Sequence, residues 1–124
     1  MADLAMIQVV KQRGNNDCGV AALAMLLGRT YEEVLVAVSI RYPKAIYRGM
    51  FLTEIRQTAT DLGMELVKTG AGRYDLETAS GILSVKSFSP KWTSPEHVVV
   101  LANNQIWDTD GTVWDIDTFR TTHS

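Results

Sequence analysis

From Cys18 to Leu27 every residue is apolar apart from the thiol of Cys18 itself. Read as a helix, such a segment is apolar nearly all round, which requires burial on all sides. Asn16 and Asp17, both good N-caps, precede it, and Gly28 suits its C-terminal stop. The block is far short of the roughly 20 residues that span a bilayer. The N-terminus lacks the basic stretch and apolar run of a signal peptide. A cytoplasmic protein without membrane insertion is the expectation.

Length and composition narrow the function classes. The 124 residues suit one domain, 1–124. The net charge of -2 argues against a nucleic-acid or anionic-membrane binder, which would carry a basic stripe. A single cysteine excludes an internal disulfide, and with only two histidines it cannot fill a structural zinc site. Asp108, Asp110, Asp115 and Asp117 lack the glycine and terminal glutamate of a calcium loop. Neither metal nor cofactor is expected.

The pattern along the chain predicts helices first and strands afterwards. Residues 6–10 suit a short extended segment, and 11–17 a polar turn around Gly14, Asn15 and Asn16. Thr30 and Glu33 form a capping box that opens a second helix to about Ser39. Residues 41–50, with Pro43 and Gly49, predict a loop. Leu52, Ile55, Ala59 and Leu62 fall at helical spacing before Gly63. Strands are expected at 65–68, 82–88, 97–102, 105–108 and 112–116. A glycine-rich turn is expected at 70–72 and a loop with Trp92 at 89–96. Asn103 and Asn104 suit a two-residue hairpin turn. Helices followed by antiparallel strands make an α+β arrangement.

Chemistry gathers around the lone thiol. At a helix N-terminus the dipole and free N–H groups favour a thiolate, so Cys18 is a candidate nucleophile; the alternative is a small buried hydrophobe. His97 starts an apolar strand just after a loop and can serve as general base. The other histidine, His123, is penultimate. Asp108, on the return strand, shares a face with His97 and lies one step diagonally from it; the same register puts Asp110 directly opposite. Either can orient the imidazole, or both can be solvated turn acids. Gln12, in the loop before the helix, can donate to a developing oxyanion together with the Cys18 N–H, with Gln8 as the local alternative.

Residues 12–25, which read Gln-Arg-Gly-Asn-Asn-Asp-Cys-Gly followed by small apolar residues, resemble the active-site opening of the papain-like, bacteriocin-processing cysteine peptidases. The strand led by His97 and the run Ile106, Trp107, Asp108 resemble that family's later motifs. The resemblance implies a papain-like α+β fold, with the nucleophile at a buried helix N-terminus packed on a C-terminal antiparallel sheet. It implies Cys18 as nucleophile, His97 as base, Asp108 as its orienter and Gln12 as oxyanion donor. The substrate would be a peptide or protein, cut after Gly-Gly in many relatives. The chain departs from the family in having Thr109 where proline usually follows the aspartate. It also carries no transporter segment, so a stand-alone peptidase is expected. Acyl transfer, deamidation and non-catalytic peptide binding remain compatible with the same residues.

Overall fold

A computed structural model describes residues 7–14, 16–67, 80–85 and 97–118. The apolar block forms helix α1 (Cys18–Leu27), in which every residue through Leu26 is buried. Gly28 ends it in the left-handed region, φ 66°, with its N–H donated to the Ala24 carbonyl. Helix α2 (Tyr31–Arg41) opens on the expected capping box. The Glu33 N–H donates to Thr30 Oγ1 and the Thr30 N–H to the Glu33 carboxylate. It runs two residues past the expected Ser39, stopping before Pro43, which cannot continue it.

The segment expected as a loop at 41–50 contains a short helix, α3 (Ala45–Arg48). A single turn is too short to show periodicity in sequence, and Gly49 at φ 89° closes it. Helix α4 (Leu52–Asp61) follows, and Gly63 takes φ 99° beyond its end.

Among the described residues four strands form one antiparallel sheet in chain order: β1 (Gly81–Val85), β2 (His97–Ala102), β3 (Gln105–Trp107) and β4 (Val113–Asp115). Asn103 and Asn104, at φ 54° and 61°, make the β2–β3 turn, and Ala102 pairs with Gln105 as the hairpin requires. Several expectations need correction. Residues 65–67 form no strand, and 7–10 adopt no regular structure. Strand β3 stops at Trp107, one residue before Asp108, whose N–H donates to the Thr112 carbonyl where the turn into β4 begins. Strand β4 is shorter than 112–116. Met6, Asn15, Lys68, 86–88, the turn at 70–72, the loop at 89–96 with Trp92, and His123 lie outside the described residues.

Strand β2 is the hinge of the architecture. Val98, Val100 and Ala102 face the helical layer and pack into the cluster built on α1, α2 and α4. Val99 and Leu101 face the other way, against Ile106, Ile116, Leu83 and Trp114. Burial on both faces explains why this strand is almost continuously apolar rather than alternating. The N-terminus of α1 and the start of β2 carry the two residues of greatest chemical interest.

Candidate active site

Cys18 is the first residue of α1 and is buried at 6% exposure. The first turn of a helix leaves N–H groups without intrahelical partners, so its positive end faces the sulfur. The approach to the helix is held by Asp17. Its side chain makes no capping bond to the helix. It turns back instead, accepting the Arg13 N–H at 2.7 Å, the Gly14 N–H at 2.8 Å and the Tyr31 hydroxyl at 2.6 Å. This buried carboxylate folds the loop into the shape that delivers Cys18. Burial first, then the bond to Asp17, push the Tyr31 phenol well above its ordinary range, so it stays a donor. The sequence offers Asp17 as a cap and as part of the opening before the cysteine, but not as the anchor of this loop.

Gly19 explains the next constraint. A Cβ there would stand 3.0 Å from Met50 Sδ, 3.2 Å from Met50 Cβ and 3.3 Å from Ile55 Cδ1. The segment after α3 and helix α4 therefore press directly on the turn that carries the thiol.

His97 and Asp108 meet as the shared face predicts, with Nε2 3.0 Å from Asp108 Oδ1. Both side chains are largely buried, at 14% and 10% exposure. Asp108 reaches this place from the turn after β3. Its Oδ1 also accepts the Thr109 N–H at 2.7 Å, and its carbonyl accepts the Gly111 N–H. Asp110 is exposed and accepts the Thr112 N–H, so the structure brings Asp108 and not Asp110 to the imidazole. Burial opposes charge on His97, but the hydrogen bonds with Asp108 and Cys18, and their charges, outweigh it and push its pKa up to about 9. Cys18, His97 and Asp108 thus form one interacting group.

Gln12 is drawn to the same turn. Its backbone N–H donates to the Thr109 carbonyl at 2.8 Å, and the Thr109 hydroxyl hydrogen-bonds its side-chain oxygen. Its Nε2 donates to the Gly14 carbonyl at 2.7 Å. A carbonyl only accepts, which fixes the orientation of the amide and leaves one Nε2 proton uncommitted by that bond. Gln8, the local alternative, is exposed in the segment without regular structure.

Among the described residues no helix is long and apolar enough to cross a membrane. A thiol at a helix start, an imidazole held charged beside it, a carboxylate behind the imidazole and a carboxamide nearby can together perform nucleophilic acyl chemistry. The sequence profile of the Peptidase C39 family matches residues 6–101. Neither a curated protein nor a solved structure matches the chain.

Proposed function

We propose, for a chain that belongs to the Peptidase C39 family and is a cysteine peptidase, that Cys18 attacks the peptide carbonyl and His97 moves the protons. In this reading the Cys18 thiolate adds to the carbonyl carbon, forming the C–S bond and placing the π electrons on oxygen. The free Nε2 proton of Gln12 and the Cys18 N–H stabilise that oxyanion. The imidazolium then protonates the departing amine as the C–N bond breaks, leaving an acyl-thioester. His97 takes a proton from water, which attacks the thioester. The C–S bond breaks, a carboxylic acid leaves and the thiolate returns. Asp108 orients the ring through Nε2, so Nδ1 is the nitrogen that serves the sulfur. The papain-like domain, 1–124, acts on a peptide or protein after Gly-Gly, in the cytoplasm, where a lone thiol stays reduced.

The observation that carries this reading is the buried His97–Asp108 contact at 3.0 Å, coupled to the only thiol of the chain. A fluorogenic peptide amide ending in Gly-Gly tests it, together with iodoacetamide labelling at pH 7. Wild type should cleave after the second glycine and label much faster than a free thiol, while Cys18→Ala does neither. Cleavage that survives Cys18→Ala, or labelling at the rate of an ordinary thiol, overturns it.

A further inference from the structure

Thr109 bonds both Asp108 and Gln12. It is fully buried at 0% exposure, which is unusual for a threonine in a turn between two strands. All three of its polar groups are used within the site. The N–H donates to Asp108 Oδ1 at 2.7 Å, the oxygen that also holds His97 Nε2. The carbonyl accepts the Gln12 N–H at 2.8 Å. The hydroxyl bonds the Gln12 side-chain oxygen. Since Gly14 fixes the Gln12 amide with nitrogen outward, the Thr109 hydroxyl must be the donor. The Lys11 side chain lies over Gly111 in the same turn, where a Cβ would meet it. The loop before the nucleophile is thereby fastened to the turn that carries the carboxylate, across almost the whole length of the chain.

We propose that Thr109 is a positioning residue that sets the oxyanion donor Gln12 and the imidazole-orienting Asp108 in one frame. The inference rests on the reaction proposed above. Two of its three bonds use the backbone, and the N–H bond to Asp108 is one that proline in this place could not make. The third depends on the hydroxyl alone. A valine keeps the shape and the backbone donors while removing only that bond. Gln12 then keeps Gly14 but loses the second anchor of its amide, so its remaining proton is less well aimed. Misplacement of this kind lowers the rate of steps that pass through an oxyanion and leaves others untouched.

Two reactions of the same thiol separate the cases. Alkylation by iodoacetamide displaces iodide at a saturated carbon and forms no oxyanion. Hydrolysis of the Gly-Gly peptide amide does form one. Thr109→Val should lower kcat for hydrolysis about tenfold, with KM and the alkylation rate changed less than about twofold. Thr109→Ser, which keeps the donor, should restore kcat. Combining Thr109→Val with Gln12→Ala should cost no more than Gln12→Ala alone, because the hydroxyl acts through that side chain. Unchanged hydrolysis in Thr109→Val, an equal loss in both reactions, failure of serine to rescue, or multiplicative losses in the double variant overturns the role of Thr109. A wild-type chain that does not hydrolyse the peptide overturns the proposed reaction, and the Thr109 inference falls with it.

Discussion

Protonation of His97 is the property of a single residue on which the proposed chemistry turns. The leaving amine needs a proton, so hydrolysis requires imidazolium and should fall on the alkaline side as His97 titrates, near pH 9. Asp108 raises that pKa, so Asp108→Asn should move the alkaline limb of kcat to lower pH and slow the reaction. Asp110→Asn, in the exposed part of the turn, should leave the limb in place. A pH–rate curve of each variant checks this; an alkaline limb that moves with Asp110 and not Asp108 contradicts the assignment. The same two residues show where sequence reasoning reaches its limit. Cys18, His97, Gln12 and the hairpin at Asn103 and Asn104 were legible, because a lone thiol and a two-residue turn leave few choices. Asp108 against Asp110 was not, because extending the hairpin register assumed a strand that continued. Strand β3 ends at Trp107, Asp108 stands at the mouth of the turn with its N–H on the Thr112 carbonyl, and Asp110 lies out in the turn itself.

Helix α1 does not place its own first residue; the loop before it and helix α2 do. Tyr31, the first residue of α2, donates to Asp17 across a buried contact, and Asp17 gathers the Arg13 and Gly14 N–H groups. Arg13 also lies over the Tyr31 ring, 4.0 Å from its centroid, and pairs with Glu32. That ion pair is exposed on both sides, so the stabilising bond is the buried one. Tyr31→Phe keeps the ring and removes the donor to a charged acceptor. It should cost about 1.5–3 kcal/mol in urea unfolding and also lower kcat, since the loop carrying Gln12 loosens. Arg13→Gln, which breaks the exposed pair but keeps the Arg13 backbone donor, should cost clearly less than Tyr31→Phe. A larger loss in Arg13→Gln than in Tyr31→Phe would refute this ranking. None of this was visible in sequence, where Asp17 and Thr30 look like two independent caps. Thr30 behaves as one, because its partner Glu33 is local. Asp17 does not, because its partner Tyr31 is brought by tertiary packing. The short α3 escaped notice for a related reason, since one turn has no periodicity to read.

At the scale of the molecule, Cys18 belongs to the helical layer and His97 to the sheet, so the two come together only when the layers are docked. That makes the protonation of His97, held beside Asp108, a reporter of folding as well as of chemistry, with a definite dependence on pH. His97 titrates near 6.5 when unfolded and at about 9 when folded. A pKa raised by folding means that the native state binds the proton more tightly. The resulting stability is fully present below pH 6.5, fades as pH rises, and is gone above about 9. Carboxylates act in the opposite sense. The bond from Arg48 holds Glu54 below its ordinary range, and the bond from Arg41 does the same for Asp61. Their contribution is present at neutral pH and lost in acid. Stability should therefore peak in mildly acidic solution, between the carboxylate and histidine transitions. Asp108→Asn isolates the histidine part, because it removes the carboxylate that raises His97 and leaves the Arg48–Glu54 and Arg41–Asp61 pairs intact. The difference in urea midpoint between wild type and Asp108→Asn should be widest near pH 6 and narrow steadily toward pH 9.5. It need not vanish, since Asp108 keeps the Thr109 N–H. A difference that stays constant across that window, or widens with pH, would mean that Asp108 does not hold the proton on His97 in the folded chain.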